Sequence, residues 1–474
     1  MLISRRGLLG AVAAVAGATA LSRVRAEEAE TPEHVSEAQT ATDMQAIGSA
    51  RPRAGAVVAR PNVVVIMTDD QDFQSYAEPF TFLDRRGRPL LDAAGEPQRG
   101  WAMRNLRHYP GGGWTDFRGA VVSSAICAPS RASLLTGQYA RHHGVLQNGM
   151  LGQMDAGNTL ATWLHAADYY TALFGKYSFG DGDRHLPDQP GWDIFDTGGA
   201  ADTVFSKAVQ FIREVNAEAQ GRPFALFVTP VDPHRPARPA SRHRRLNIEP
   251  PALPPNVGAT DAGKPEWMRR GKPDRPSRRE RANAYRALLG VDDGIQAVID
   301  ALADTGQLDA TVVIVTSDNG YSWASHGQNG KLLPYEEASR VPLLIRLPWL
   351  AANQVEERVV SNVDLAPTIA ELTGALPGRI MDGRSLLPLM TASAAPWNEV
   401  AYLEGYPTTI RPVAYRGLRT GSATAGFTYV EWATGERELY DIAADPFQMN
   451  NVIHAPEYNG VAAQMAAMLA GYED

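Results

Sequence analysis

The sequence predicts an α/β fold: a large mixed, mainly parallel sheet sandwiched by helices, with a smaller C-terminal α+β subdomain containing an antiparallel sheet. Three observations carry this. The runs Asn62–Met67, Phe224–Val228 and Thr311–Thr316 are continuously apolar rather than alternating, which marks strands covered on both faces. Segments of helical spacing stand between them at Thr162–Ala167, Val204–Ile212 and Ala284–Leu302, and strands alternating with helices build a doubly wound sheet. Beyond residue 390 the pattern changes to short β-rich runs around a Thr434-Gly435 turn signal.

Taken from the start, residues 1–26 place Arg5 and Arg6 before an uncharged stretch, Gly7–Leu21, that is too short to span a bilayer. Small residues follow at Val24 and Ala26. This reads as a twin-arginine export signal, and predicts a periplasmic or secreted protein with no stable membrane insertion after cleavage. Cleavage would remove four arginines and no acid, leaving the chain four charges more acidic than its formal −8. Residues 27–57 are rich in Ala, Glu, Thr and Arg without apolar period, and read as a linker or disordered arm. The α/β domain is expected over 58–390 and the C-terminal subdomain over 391–474. In the latter, Ala401–Leu403, Val413–Tyr415 and Phe427–Val430 read as strands and Asn459–Ala470 as a closing helix.

The chain has 474 residues, 44% hydrophobic and 21% charged, enough apolar material for a sizeable core. That excludes wholesale disorder, collagen and a polytopic membrane protein. The acidic balance argues against a nucleic-acid partner. A single cysteine, Cys127, rules out an intrachain disulfide.

The buried strands run into polar clusters: Asp69-Asp70-Gln71, Asp232-Pro233-His234 and Ser317-Asp318-Asn319-Gly320. Open α/β sheets bind ligands at the carboxyl ends of their strands. One Asp after a strand reads equally as a helix cap or turn residue. Two adjacent carboxylates, and an Asp-Asn pair at a second strand end, are harder to explain that way. Adjacent carboxylates repel unless a cation sits between them. Oxygen donors without thiolate or imidazole suit a hard cation, Ca²⁺ or less well Mg²⁺, rather than zinc.

Residues 123–137 read Ser-Ser-Ala-Ile-Cys-Ala-Pro-Ser-Arg-Ala-Ser-Leu-Leu-Thr-Gly. Pro129 and Ser130 suit a first helical turn and Gly137 a C-terminal cap. Cys127 is thus expected just before a helix N-terminus, whose free N–H groups and dipole favour an anion, with Arg131 one turn in. A lone cysteine otherwise reads as a small buried hydrophobe.

Cys127-Ala-Pro129-Ser-Arg131, closed by Thr136-Gly137, resembles the sulfatase signature. The resemblance extends to Val63–Gln71, Phe174-Gly175-Lys176-Tyr177, Pro233-His234, Ser317–Gly320 with Lys331 downstream, and Val341–Leu344. Near the end, Glu438–Asp441 with Asp445-Pro446 and Asn450-Asn451 resembles the family's C-terminal subdomain. Gly175–Tyr177 and Ser317–Tyr321 look most like the glucosamine-6-sulfatase and extracellular heparan-sulfatase branch.

The resemblance implies an exported sulfatase in which a maturation enzyme oxidises Cys127 to formylglycine (3-oxoalanine). It also implies one Ca²⁺ held by Asp69, Asp70, Asp318, Asn319 and an oxygen of the modified Cys127. The hydrated aldehyde would attack sulfur, with Asp318 beside it as base. Arg131, Lys176 and Lys331 would neutralise the sulfate oxygens, and His234 with Lys331 would protonate the leaving alcohol. The second hydroxyl would then expel sulfate and regenerate the aldehyde.

One departure stands out. Many sulfatases carry His two residues after the lysine matching Lys176; here that place is Ser178. His143 is the expected substitute catalytic residue, with His142 and His326 as further candidates. A basic run, Arg235, Arg238, Arg242, His243, Arg244 and Arg245, follows His234, and a second spans 269–281. Such runs are usually solvated faces, yet beside the site they would recruit a sulfated small molecule or saccharide. Two rival readings remain: a phosphodiester or phosphonate monoester hydrolase of the same superfamily, and a non-catalytic sulfated-glycan binder with unmodified Cys127.

Overall fold

The computed structural model describes residues 60–178, 189–259, 263–269, 277–392 and 395–472. The export signal and the linker over 27–57 lie outside the described residues, as does most of the second basic run. In chain order the strands are β1 (Asn62–Thr68), β2 (Phe80–Phe82), β3 (Arg99–Gly100), β4 (Trp114–Val121), β5 (Tyr170–Gly175), β6 (Ile194–Thr197), β7 (Phe224–Thr229), β8 (Ile248–Glu249) and β9 (Thr311–Ser317). They continue with β10 (Ser322–Trp323), β11 (Asn329–Gly330), β12 (Leu343–Arg346), β13 (Gln354–Ser361), β14 (Val400–Gly405), β15 (Tyr415–Thr420), β16 (Phe427–Trp432) and β17 (Arg437–Asp441).

The main sheet has eight strands in the order β13-β4-β12-β9-β1-β7-β5-β6. Strand β1 pairs in parallel with β7 and β9, and β5 in parallel with β7 and β6. Only β12 runs antiparallel to its neighbours, β9 and β4. The continuous apolar run of β1 follows directly from its place in this sheet. Val64 and Ile66 enter one core with the Ala201–Glu218 and Arg278–Asp304 helices; Val63, Val65 and Met67 enter the opposite core with the Cys127–Thr136, Leu160–Ala166 and Leu365–Thr373 helices. Each side chain is removed from water, worth about 1.5–3 kcal/mol apiece. The expected helices match observed ones, the first ending one residue early at Ala166, and Leu288, Val291, Ile295, Val298, Ile299 and Leu302 form a buried stripe.

The C-terminal sheet is antiparallel, β14-β15-β16-β17, and the Asn459–Ala470 helix contributes Ala462, Met465 and Leu469 to a core with Leu418, Tyr429 and Leu439. Thr434-Gly435 turns the chain between β16 and β17. One expectation shifts: the strand read at Val413–Tyr415 begins at Tyr415 and runs to Thr420. Its arginines hid it, because Arg416 pairs with Glu431 at 2.8 Å and buried Arg419 with Glu336 at 2.8 Å. A three-stranded sheet, β3-β2-β8, was not foreseen. Among the described residues no helix is long and apolar enough to cross a membrane.

Candidate active site

The site is assembled where β1, β7 and β9 end. Asp318 N–H donates to the Thr68 carbonyl at 3.1 Å, and Asp69 N–H to the Asp232 carbonyl at 3.3 Å, so the loops after all three strands are tied together. Neighbouring side chains on a strand point to opposite faces. Asp69 and Asp70 escape that rule because Asp70 has φ of +62°, a left-handed conformation that Asp tolerates better than most residues. Its backbone N–H then meets Asp318 Oδ1 at 3.1 Å.

Cys127 is the first residue of the Cys127–Thr136 helix, one position further in than the sequence suggested, with Ile126 as the cap. Gly137 ends this helix at φ +67°. The thiol lies 3.5 Å from Asp69 Oδ1 and 2.8 Å from Lys331 Nζ. One ligand atom each from Asp69, Asp70, Cys127 and His234 lies within 4.8 Å of the others. Asn319 Nδ2 donates to Asp70 Oδ1 at 2.7 Å. The five residues expected around one ion are therefore gathered at one place.

Three cations are interleaved with the three carboxylates. Arg131 Nε contacts Asp318 Oδ2 at 2.8 Å, and its Nη1 donates to the Lys176 carbonyl at 2.7 Å. Lys176 Nζ sits 2.6 Å from Asp69 Oδ2 and 3.9 Å from Asp318 Oδ2. Lys331 Nζ contacts Asp70 Oδ1. Burial works to raise the Asp69 carboxyl, but Lys176, with Arg131 and Lys331, outweighs it and holds the pKa below its ordinary value. Burial opposes charge on Lys331 too, yet Asp70 and its neighbours hold its pKa well above the usual lysine range. Burial and Asp69 push the Cys127 thiol up to about 12, so the unmodified sulfur is a protonated thiol at neutral pH.

Most of this cluster is closed to solvent. His234 is the exception: its side chain is 42% exposed, with Nε2 3.6 Å from Asp70 Oδ2. The opening therefore lies on the side of His234 and Lys331, on the two oxygens of one carboxylate.

The donor set fits a hard divalent cation. Three carboxylates gather with Asn319 beside Cys127, with the His234 imidazole at their open edge, and Asn319 Oδ1 is buried with no hydrogen-bond partner. Such an orphaned acceptor is costly unless a cation or water meets it. The repulsion argument for a cation is weaker than the sequence implied, because each carboxylate already has an ammonium or guanidinium neighbour.

The three substitute histidines have partners outside the carboxylate cluster. His143 is buried against the middle of the Cys127–Thr136 helix, Nε2 3.1 Å from Ser133 Oγ, and burial lowers its pKa to about 3. It braces the helix and makes no contact with the carboxylate cluster. His142 pairs with Asp382 at 2.8 Å. His326 is buried against Tyr335, ring centroids 4.2 Å apart, and near Asn256. Ser178 is itself buried. In the basic run, Arg242 is shared between Asp202 and Asp293, and His243 also faces Asp293, which is the solvated-face reading. Arg238, Arg244 and Arg245 are exposed.

Sequence reasoning missed Asn148, whose Oδ1 accepts from Ala128 N–H at 2.9 Å and so holds the first helical turn beside Cys127. Its Gln-Asn-Gly setting carries no signal beyond a turn.

Comparison with known proteins agrees with this geometry. The sulfatase family model matches residues 61–375, and a model of the N-sulphoglucosamine sulphohydrolase C-terminal region matches 324–474. The Drosophila melanogaster extracellular sulfatase SULF-1 homolog is 30% identical over 374 residues, covering 70% of this chain but only 31% of that protein. Human N-acetylglucosamine-6-sulfatase is 28% identical over 471 residues, covering 83% of this chain and 81% of its own. Among solved structures, a protein captured with its substrate D-glucosamine-2-N,6-O-disulfate superposes with a TM-score of 0.69 at 22% identity, over 87% of this chain and 97% of that one.

Proposed function

The chain belongs to the sulfatase family, and from that premise we propose that it hydrolyses a sulfate ester of a sulfated saccharide, using Cys127 oxidised to formylglycine and one bound Ca²⁺. The observation that carries the reading is Cys127 at the head of its helix, between Asp69 and Lys331, in a cluster where Asn319 bonds Asp70 and keeps a buried, unpartnered oxygen. Saccharide sulfate is favoured over other esters by the relatives, which are named for glucosamine-6-sulfate and extracellular sulfatase activities.

Asp69, Asp70, Asp318 and Asn319 would hold the ion, with an oxygen of the modified residue 127. Ca²⁺ and the aldehyde together supply an activated oxygen nucleophile. The chain's own residues do the rest. The three carboxylates and three cations cancel, so a divalent ion leaves a surplus of positive charge that favours an anionic ester. Arg131 and Lys176 are fixed by buried ion pairs and need no reorganisation when charge builds on the sulfate oxygens. Lys331 and His234, on the open side, are placed to pass a proton to the leaving alcohol. His234 supplies the proton without the family histidine that Ser178 replaces. Export through the twin-arginine route and maturation by a separate enzyme complete the proposal.

Mass analysis of the peptide containing Cys127 tests it. Conversion to the aldehyde lowers the peptide mass by ~18 Da, the exchange of H₂S for oxygen. Matched sulfate, phosphodiester and phosphonate esters then define the reaction. Turnover of a 6-O-sulfated glucosamine by modified protein is the expected outcome. Faster turnover of the phosphorus esters would move the assignment to the rival hydrolase, and an unmodified, inactive protein that still binds sulfated glycan would make it a binder.

A further inference from the structure

The unforeseen β3-β2-β8 sheet and the start of the Arg278–Asp304 helix enclose a groove of about 680 Å³, lined by Arg99, Arg278, Arg281 and Glu249 over a Pro250-Pro251 floor. Glu78 also lines it. From Asp70 to Glu78 the chain takes two extended steps and one short helix, so the edge of the groove at Glu78 lies within about 21 Å of Asp70, Cα to Cα.

Three arginines face two carboxylates, Glu78 and Glu249, so its lining is net positive. Arg281 is 5% exposed, yet its Nε is buried without a partner, while Nη1 donates to the Pro251 carbonyl at 3.1 Å and Nη2 to Gln74 Oε1 at 3.4 Å. Arg99 is exposed and makes no ion pair among the described residues. Arg278 pairs with Glu249 at the surface, where such a pair contributes little and exchanges readily. Both Arg278 and Arg281 stand in the first turn of a 27-residue helix, whose N-terminal end adds partial positive charge. Guanidinium forks match sulfate and carboxylate oxygens in bidentate geometry. The proline floor offers apolar surface to a sugar ring.

We propose that this groove binds further anionic units of the same sulfated saccharide whose ester is hydrolysed, making the natural substrate an oligosaccharide or polymer. The inference rests on the sulfatase reading and adds the size of the substrate to it.

Two surface variants and two substrates test it. Arg99→Ala/Arg278→Ala removes two charges; Glu249→Gln frees Arg278. Binding of a fluorescently labelled sulfated hexasaccharide, measured without turnover, is expected to weaken about fivefold to tenfold in the double variant. The slope of log Kd against log salt should fall by about one to two. Glu249→Gln should tighten binding. Turnover of a small aryl sulfate should stay within about twofold of the parent in both variants, as expected for exposed residues away from the reacting atoms. Unchanged hexasaccharide binding in both variants overturns the proposal. So does an equal loss on hexasaccharide and aryl sulfate, which would place the effect at the catalytic centre. Equal or tighter binding of inorganic polyphosphate overturns the saccharide assignment. Failure to turn over aryl sulfate in the parent would count against the sulfatase reading alone, since the binding arm does not depend on it.

Discussion

Asp69 and Asp70 were legible as a pair, but not how they meet. The left-handed backbone at Asp70 is invisible in a sequence, and it makes one carboxylate face both Lys331 and His234. Both candidate proton donors thus address the open side of the site, and their separate contributions can be measured. His234→Asn is expected to lower kcat about 10²–10⁴-fold on a saccharide sulfate, whose alkoxide needs a proton. On an aryl sulfate with an acidic phenol the loss should be much smaller. Equal losses on both would remove His234 from proton transfer. His143 has the right chemistry for a residue near the motif, but only its burial, invisible in the sequence, decides whether it titrates usefully. Its folded pKa of about 3 lies below its ordinary 6.5, so the unfolded chain binds the proton more readily. Its contribution to stability is therefore present above pH 6.5 and is lost as pH falls toward 3, by about 1.4 kcal/mol per unit. The His143→Gln variant should show a shallower decline of Tm between pH 6.5 and 4 than the parent. A parallel decline would mean that other groups set the acid limit.

Long elements announced themselves because burial on both faces leaves a continuous apolar run, as in β1, and because the Arg278–Asp304 helix repeats its stripe over many turns. Strands β2, β3 and β8 are two or three residues long and carry no period to read. Strand β15 was displaced because its arginines are paired rather than exposed. Glycines in the motifs carry a sharper message than their neighbours. Gly175, at the end of β5, has φ of +116°, and an added Cβ would lie 2.2 Å from the Thr229 carbonyl oxygen. That same carbonyl accepts from Lys176 N–H at 2.7 Å. Gly175→Ala is thus expected to shift Lys176 off Asp69 and reduce kcat/KM at least about tenfold, the scale of a lost charge contact in the transition state. Gly137→Ala meets the flexible side chain of Met381 instead, at 2.8 Å, and leaves the helix head in place. It should cost about 1–2 kcal/mol of stability from its φ of +67°, read as a lower Tm, with kcat per folded molecule nearly unchanged. Reversal of this ranking would mean that the Lys176 position does not depend on the β5 terminus.

At the scale of the molecule, the main and C-terminal sheets share a core, in which Val121, Val122 and Val341 pack with Leu403, Val430 and Tyr440. No local pattern predicts that junction. Buried Glu438 seals it, bonded to Tyr335 at 3.0 Å, Tyr440 at 2.8 Å and Trp432 at 3.1 Å, with Lys264 at 3.8 Å. Tyr335 in turn follows Lys331 by one helical turn's worth of residues, so the second sheet supports the loop that reaches the site. If the cluster holds the proposed ion, stability and metal binding are expected to be coupled only weakly. Because Arg131, Lys176 and Lys331 balance Asp69, Asp70 and Asp318, removing a divalent ion leaves a neutral cluster rather than three opposed carboxylates. Chelation is expected to abolish activity without unfolding the protein. Calcium at a hundred times its Kd adds about 2.7 kcal/mol, which for a chain of this size corresponds to a rise in Tm of a few degrees. Magnesium at equal concentration should restore less, since it demands octahedral geometry and sheds water reluctantly. Asn319→Ala removes the orphaned oxygen together with the Nδ2 bond to Asp70, and should lower the Tm in chelator as well as shrink the calcium-dependent rise. A Tm indifferent to calcium in the parent would show that the lysines and arginine alone satisfy these carboxylates, and the ion would have no place among them.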